Sequence, residues 1–259
     1  MLAERIDSRK LVRVRNFLRT IYRRFRPFVA PSQSNEQALL AQLMRGVRIP
    51  HTFCEFGFDA HEFNCAQLIT AGWSGLLIDG DARKVAKAQS LFPSRVVVLC
   101  EYLFRENVYD TVARRYPQDT LGVLSIDVDG NDYWFLEALL PLRPVLVICE
   151  YNASLLHHSL TVPYEAQFDR HARHPRGFYH GASLSALTTL CVRHDYDLVA
   201  VSDGGLNAFF CRRDSCPGQV ALDPVRAYRP NLLRAHYNDG MTPEQQWESV
   251  RHLPFLSVN

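Results

Sequence analysis

Three aspartates crowd into six positions directly after an apolar run, in the stretch SIDVDGND. They are Asp127, Asp129 and Asp132. Carboxylates this close repel one another unless a metal ion, a cationic ligand or water compensates their charge. An EF-hand is excluded, because that loop needs glycine at its sixth position and glutamate at its twelfth. Counted from Asp127, Gly130 is fourth and Ala138 is twelfth.

Two of the three aspartates are candidates for a chemical role, and the third is a candidate for helix capping. One or two carboxylates with water and substrate oxygens are enough to hold Mg²⁺, so Asp127 and Asp129 are candidate metal ligands. Asp127, at the end of the apolar run, is also the first candidate for a catalytic residue. Asp132 is predicted to cap the helix expected near Tyr133, since acids stabilise helix N-termini.

Acidic residues end three further apolar runs, at Glu55, Asp79 and Glu150. If these runs are parallel strands, the acids gather outside their carboxyl ends, which is where open α/β sheets bind ligands. Gly57 lets the backbone approach a ligand closely, and an acid after the second strand suits a ribose diol. The pattern therefore predicts a site for a nucleotide-type ligand.

A long polar and aromatic insertion, residues 152–183, holds five histidines. Connections of this length are usually binding loops or lids. His180 is the leading candidate base, because imidazole titrates near neutral pH, although a surface or hydrogen-bonding role is the commoner fate of such a histidine. Asn152, Asn207 and Glu150 are candidate substrate contacts, and Asn152 has the alternative of fixing its own turn.

Apolar runs that alternate with helical patterns predict the elements that position these residues. The first five runs are continuous, as in a parallel sheet covered on both faces. The last two flank Asp203-Gly204-Gly205 and predict an antiparallel hairpin. We expect an α/β chain with a doubly wound, mostly parallel, seven-stranded Rossmann-like sheet and a C-terminal hairpin. The predicted strands are residues 52–56, 75–78, 95–99, 121–126, 145–149, 196–202 and 206–212.

The N-terminal residues differ from the rest in charge. Residues 1–30 contain nine Lys and Arg against Glu4 and Asp7, with apolar residues at helical spacing. This pattern predicts a basic amphipathic helix, which would either lie on an anionic membrane surface or dock on the domain with its arginines solvated. We expect three regions: the helix and linker 1–34, a ligand-binding domain 35–216 with the insertion 152–183, and a C-terminal cap or tail 217–259.

Composition narrows the class of protein. The 259 residues carry a net charge of +2, so the whole chain is not a polyanion binder, and no nucleic-acid partner is expected. Seven cysteines are scattered without a CxxC pair, which favours reduced thiols in a cytoplasmic protein. No apolar run approaches the ~20 residues of a membrane span. The expected location is the cytoplasm, with the inner membrane surface as a site of peripheral contact.

Three motifs resemble the class I S-adenosylmethionine (SAM) dependent methyltransferases, and the FkbM-like group most. The resemblance covers roughly residues 50–213, and the expected terminal hairpin is similar to that fold as well. The motifs are FCEFG at 53–57, GWSGLLIDGD at 72–81 and SIDVDG at 125–130.

The resemblance implies specific roles for several residues. It implies that Glu55, Gly57 and Asp79 bind SAM, with Asp79 on the ribose hydroxyls. Asp59 is a further candidate cofactor residue, because the cationic amino group of this ligand would attract a carboxylate. Asp127 would lie near the methyl donor and the substrate. The loop after the first strand departs from the pattern, because Gly57 stands alone where several glycines are common.

Three functions of different classes follow. The first is a SAM-dependent methyltransferase acting on a hydroxyl of a carbohydrate or another small polar molecule. The second is a metal-dependent hydrolase of a phosphate ester, using Asp127, Asp129 and insertion histidines. The third is a noncatalytic module of this fold that binds a partner through the basic helix.

Overall fold

A seven-stranded sheet forms the centre of the chain in a computed structural model that describes residues 32–259. Its strands are β1 (Thr52–Phe56), β2 (Ser74–Asp79), β3 (Val96–Cys100), β4 (Val123–Ile126), β5 (Leu146–Glu150), β7 (Tyr196–Val201) and β8 (Asn207–Arg212). The order is β3-β2-β1-β4-β5-β8-β7, with β1 to β5 parallel and β8 antiparallel to both neighbours. The predicted α/β class, the sheet and the terminal hairpin are therefore confirmed. The expected N-terminal basic helix lies outside the described residues.

Apolar clusters cover both faces of the sheet. Successive strand residues point to opposite faces, so the neighbours Phe209 and Phe210 of β8 enter different clusters. Phe210 packs in a cluster with Leu136 and Leu187, whereas Phe209 packs in a cluster with Phe53. Burial on both faces explains why the strands are continuous apolar runs without alternation.

The helices lie between and after the strands. They are α1 (Glu36–Leu43), α2 (Ala66–Thr70), α3 (Ala82–Leu91), α4 (Val108–Ala113), α5 (Asp132–Leu139), α6 (Arg170–Arg173), α7 (Leu184–Arg193), α8 (Pro224–Ala227), α9 (Leu232–Tyr237) and α10 (Pro243–Val250). The sequence pattern predicts a helix over residues 62–71, but α2 begins at Ala66, because the backbone N–H groups of Asn64 and Cys65 donate to the side chain of Glu55 in β1. In the part of the chain that the structure describes, no helix is long and apolar enough to cross a bilayer.

The C-terminal residues fold back onto the insertion. Strand β9 (Leu256–Ser257) pairs antiparallel with β6 (Leu160–Thr161). An apolar cluster joins the two regions and includes Val162, Phe178 and Val250. The segment after β8 therefore covers the insertion, and its helix α9 carries Arg234 to the edge of the sheet where the acidic residues gather.

Two of the seven cysteines are paired. Cys211 at the end of β8 and Cys216 form a disulfide with their Cα atoms 6.3 Å apart. The expectation of seven reduced thiols is therefore wrong for this pair. The turn after β8 brings the two side chains together. A spacing of five residues between two cysteines does not by itself predict a disulfide. The free cysteines of the described residues are Cys54, Cys65, Cys100, Cys149 and Cys191.

Candidate functional site

Two cavities open at the carboxyl ends of the parallel strands and share Gly57 as a wall residue. The first, of about 670 Å³, is the β2 cavity; it lies beside Asp79 at the end of β2 and is lined mainly by apolar residues that follow β3 and β4. The second, of about 600 Å³, is the β5 cavity; its wall includes Asp127 and Glu150 at the ends of β4 and β5. Of the residues predicted to bind a cofactor, Asp79 lines the β2 cavity, Glu55 and Asp59 line the β5 cavity, and Gly57 lines both.

Gly57 is required by the close approach of two strand ends. Its φ is +68°, and a Cβ at this position would lie 1.5 Å from the carbonyl oxygen of Asp127. No side chain can occupy that space, and the left-handed backbone also favours glycine. The single glycine of this loop therefore lets the end of β1 pack against the end of β4.

Glu55 near the end of β1 is hydrogen-bonded to the local backbone. Its Oε1 accepts from the backbone N–H of Asn64 and its Oε2 from that of Cys65, each at 2.8 Å. Burial raises the pKa of this carboxyl, while the two backbone donors oppose that rise. These bonds fix the turn before α2, so Glu55 shapes the wall of the β5 cavity with both oxygens already occupied.

The predicted cofactor residues divide between the two cavities. Asp79 lines the β2 cavity; its Oδ1 accepts from the Asp81 backbone at 2.7 Å, and its Oδ2 lies 3.4 Å from Lys84 Nζ. Asp59 lines the β5 cavity instead, and its Oδ1 accepts from the backbone of His61 at 2.8 Å. Since Gly57 borders both spaces, one elongated ligand would be needed to contact Asp59 and Asp79 together.

Three carboxylates converge beyond β4 and β5. Asp127, Asp129 and Glu150 each offer an oxygen within 4.8 Å of the others, a spacing that would suit a metal ion. Burial raises the pKa of Asp127 well above its usual range, and repulsion by Glu150, Asp129 and Asp132 adds to the effect. Burial also raises the pKa of Glu150. The cluster therefore holds protons more tightly than free carboxylates do.

Two arginines that the sequence reasoning missed compensate part of this charge. Arg170 of α6 contacts the carboxylate of Asp129. Arg234 of α9 is buried, and its Nη2 lies 3.4 Å from Glu150 Oε1. Both arginines come from segments predicted to be a lid and a cap, but no spacing in the sequence distinguishes them from solvated arginines.

Unpartnered polar atoms gather in the β5 cavity. Glu150 Oε2, Asn207 Oδ1 and Arg170 Nε are buried without a hydrogen-bond partner among the described residues. Glu150 and Asn207 are paired across β5 and β8, so their free oxygens are neighbours. Protonation of Asp127 would let that carboxyl share a hydrogen bond with Glu150. Buried groups of this kind are expected to find their partners in a ligand.

His180 lies behind the cavity wall rather than in it. It is buried, and its Nε2 is 3.0 Å from Arg234 Nη2. A guanidinium can only donate, so we assign Nε2 as the acceptor and place the ring proton on Nδ1. Burial lowers the pKa of His180 well below its usual value, and Arg234 and Arg170 lower it further. A neutral His180 in this position orients Arg234.

Asn152 is also behind the wall and is fully hydrogen-bonded. Its Oδ1 accepts from the backbone of Ser154 at 3.0 Å and from Arg234 at 3.0 Å. Its Nδ2 donates to the carbonyls of Phe178 and His180, at 2.8 and 2.9 Å. Asn152 therefore joins the end of β5 to the insertion, in keeping with the alternative that it fixes its own turn.

Asp132 serves the loop that carries the acidic cluster. It is the first residue of α5, and its two oxygens accept from the backbones of Val128 at 2.8 Å and Gly130 at 3.0 Å. Between these donors, Asp129 adopts a positive φ of 56°. Burial raises the pKa of Asp132 to about 7, with repulsion by Glu150 as a further cause. Its role in the fold is to hold the β4–α5 loop.

Comparison with known proteins gives a structural likeness and no family. No model of a protein family and no curated protein matches the chain. Among solved structures, the chain is similar to a Corynebacterium glutamicum protein determined by the Northeast Structural Genomics Consortium. The two are 15% identical, the match covers 85% of this chain and 93% of that chain, and the TM-score is 0.45.

Proposed function

We propose that this chain is a SAM-dependent methyltransferase that methylates a hydroxyl group of a carbohydrate or another small polar acceptor. The observation that carries the proposal is the pair of cavities that meet at Gly57, one beside Asp79 and one lined by Asp127 and Glu150. A transferase for two substrates needs two adjoining spaces, so that the reacting atoms are held in line.

The β2 cavity fits the nucleoside part of SAM. Asp79 stands at the end of β2, where an acid suits two ribose hydroxyls. Asn131 Oδ1 is buried without a partner among the described residues and belongs to the lining, where it would accept from a polar ligand group. Phe56 and Phe135 give the cavity an apolar wall. Asp59, across Gly57, would accept from the amino group. When bound, SAM supplies an activated methyl group.

The β5 cavity fits a hydroxyl acceptor. Glu150 Oε2 and Asn207 Oδ1 offer neighbouring acceptors, and Arg170 Nε offers a donor. Adjacent hydroxyls on a sugar ring would satisfy this set, because each hydroxyl both donates and accepts. Asp127 would take the proton from the acceptor oxygen, which would gain the methyl group as the sulfur–methyl bond of SAM breaks and S-adenosylhomocysteine leaves. A raised pKa makes its carboxylate a stronger base than that of an ordinary aspartate.

The acidic cluster also favours a second candidate, a metal-dependent hydrolase of phosphate esters. Asp127, Asp129 and Glu150 could hold a divalent ion, and the adjoining arginines could bind a phosphate. The same ion, Mg²⁺ for example, would serve the methyltransferase by acidifying a bound diol. The two candidates differ in cofactor, since only the methyltransferase requires affinity for SAM.

Calorimetric titration with SAM and S-adenosylhomocysteine, with and without Mg²⁺, tests the proposal. We expect saturable binding by the wild type and a loss of at least about tenfold in affinity in Asp79→Asn. Asp81→Asn is the matched control, because Asp81 caps α3 two residues away and asparagine caps helices equally well. A folded wild-type protein that binds neither compound would overturn the proposal and favour the hydrolase.

A further inference from the structure

A buried glutamate of α1 fixes the orientation of the Asn207 amide at the wall of the β5 cavity. Glu36 is buried, and its Oε1 accepts from Asn207 Nδ2 at 3.3 Å. Its Oε2 accepts from the backbone of Ser34 at 2.7 Å. A carboxylate can only accept hydrogen bonds, so the NH₂ group of Asn207 must face Glu36. The amide oxygen of Asn207 is thereby left for the cavity that this residue lines.

The turn between β7 and β8 holds Glu36 beside Asn207. Asn35 Oδ1 accepts from the backbone of Asp203 at 2.9 Å, and Ser34 Oγ accepts from the backbone of Gly204 at 3.0 Å. The start of α1 is therefore hydrogen-bonded to the turn that leads into β8. It follows that the fold sets the orientation of the Asn207 amide before any ligand arrives.

Asn207 and Glu150 present two hydrogen-bond acceptors side by side. They lie directly opposite each other on β8 and β5, so their side chains are on the same face of the sheet. Asn207 is 3% exposed and Glu150 is 7% exposed, and neither Asn207 Oδ1 nor Glu150 Oε2 has a partner among residues 32–259. One hydroxyl has a single hydrogen and can donate to one of them, whereas one ammonium group has three hydrogens and can donate to both.

The charge of the β5 cavity also favours a cation. Six acidic side chains line the cavity, against four Lys and Arg. The acidic residues are Glu55, Asp59, Glu62, Asp127, Asp129 and Glu150, and the basic residues are Lys84, Arg170, Arg176 and Arg234. Where three of the carboxylates converge, Arg170 and Arg234 leave one formal negative charge. A monovalent ammonium group would balance it, and hydrogen bonds from an ammonium to a carboxylate are among the strong ones.

We propose that Glu150 Oε2 and Asn207 Oδ1 bind a protonated amino group, so that the β5 cavity takes an amino sugar or another amino alcohol. The amino-group site stands on the geometry above, whereas the place of that amino group in a methyl acceptor rests on the proposed function. In such an acceptor, a hydroxyl on the adjacent carbon would face Asp127, because oxygens of Asp127 and Glu150 lie within 4.8 Å of each other.

The test compares two small ring compounds, trans-2-aminocyclohexanol and trans-1,2-cyclohexanediol, which differ only in an amino group in place of a hydroxyl. Saturation-transfer NMR on the full chain measures both dissociation constants near neutral pH, with EDTA and without SAM. We expect the wild type to bind the amino alcohol at least about tenfold more tightly than the diol. This comparison uses the wild type alone, so it does not depend on the folding of any variant.

Substitutions then locate the amino group. Glu150→Gln removes the charged acceptor and should reduce the preference for the amino alcohol to about twofold or less. Glu62→Gln is the matched control, because it removes one charge from an exposed part of the same wall; it should keep the preference. Asn207→Ala removes the second acceptor and should weaken binding of the amino alcohol about fivefold. Circular dichroism verifies the fold of each variant.

Three results would overturn the proposal. The first is a wild type that binds both compounds equally or binds neither. The second is a Glu150→Gln variant that keeps the preference, since the amino group would then bind elsewhere. The third is a wild type that binds Mg²⁺ but not the amino alcohol, which would assign the place to a metal ion.

Titration of the same protein with S-adenosylhomocysteine separates this proposal from the proposed function. Binding of S-adenosylhomocysteine without a preference for the amino alcohol would contradict the amino-group site alone. A preference for the amino alcohol without binding of S-adenosylhomocysteine would contradict the methyltransferase alone and leave the amino-group site in place.

Discussion

Glu55 and Glu150 both lie near the carboxyl end of a parallel strand, in β1 and β5, and both are buried. The two oxygens of Glu55 accept from two backbone N–H groups at 2.8 Å. Glu150 has Arg234 at 3.4 Å on one oxygen, and its other oxygen has no partner within residues 32–259. Glu55 therefore has both carboxylate oxygens hydrogen-bonded within the fold, whereas one carboxylate oxygen of Glu150 remains available to a ligand.

The origin of the hydrogen-bond donors decides whether an acid at a strand end stabilises the fold or stays available to a ligand. Beside Glu55, the donors belong to the backbone of a turn close in sequence, so they are fixed once the turn forms. Beside Glu150 and Asp129, the donors are Arg234 and Arg170, side chains from distant segments. Side-chain partners can move away when a ligand arrives, whereas backbone partners of a folded turn cannot.

The largest effect is expected where the two strand ends touch. Gly57→Ala would place a Cβ 1.5 Å from the Asp127 carbonyl oxygen, in a backbone conformation that already disfavours side chains. We expect the free energy of unfolding to fall by more than about 4 kcal/mol, or the chain to fail to fold. Gly46→Ala is the control, because Gly46 also has a positive φ but open space around it; about 1 kcal/mol is expected there. Equal losses in the two variants, measured by urea unfolding, would contradict the close approach.

A smaller loss of stability is expected on substitution of Arg234, the side-chain partner of Glu150. Arg234→Met removes the guanidinium from Glu150, Asn152 and His180, and leaves a buried carboxyl without its cation. We expect a destabilisation of about 3 kcal/mol at pH 8. Arg226→Met, at an exposed position, should change stability little. Similar unfolding curves for both variants would show that Arg234 does not hold the end of β5.

Substitution of Glu55 and Glu150 tests whether the fold depends more on the first glutamate than on the second. Glu55→Gln would turn an amide NH₂ towards a backbone N–H, since Asn64 and Cys65 both donate to this side chain. We expect it to cost about 2 kcal/mol more than Glu150→Gln, whose Oε2 has no donor to lose. Thermal unfolding of both variants at one pH measures the difference. A Glu150 variant as damaged as the Glu55 variant would remove the distinction between the two sites.

The smallest effect concerns the pH dependence of stability. The pKa of Asp132 is about 7 in the folded chain against an ordinary value of 3.8, so between about pH 4 and pH 7 the folded state keeps a proton that the unfolded state releases. Stability should therefore fall as pH rises through this window. Asp132→Asn should reduce the difference in stability between pH 6 and pH 8 by about 1 kcal/mol. An unchanged pH dependence of urea unfolding in the variant would contradict the raised pKa.

The sheet could be predicted because its signals are local. Seven apolar runs, the residues that punctuate them and the turn at Gly204-Gly205 fix the type and order of the strands along the chain. The acids at Glu55, Asp79, Asp127 and Glu150 were located at the strand ends for the same reason. The start of α2 was misplaced because the turn before it depends on Glu55, a residue of another element.

The division of the site could not be predicted because it depends on distant contacts. Arg234 is 84 residues from Glu150 in the sequence, and nothing in its surroundings indicates that it is buried. The residue type makes His180 a candidate base, yet the structure surrounds it with Arg234 and Asn152. Its role as a base and that of Asp59 in cofactor binding stay predictions. A single sequence shows which residues can do chemistry, whereas long-range partners decide which are free to do it.

In the division of the site that we propose, the β2 cavity takes the cofactor and the β5 cavity takes the acceptor. Titration of Asp79→Asn and Glu150→Gln with S-adenosylhomocysteine, side by side with the wild type, tests it most directly. We predict an affinity at least about tenfold weaker in Asp79→Asn and within about twofold of the wild type in Glu150→Gln. Loss of binding in the Glu150 variant with binding retained in the Asp79 variant would contradict the division, as would the absence of binding by the folded wild type.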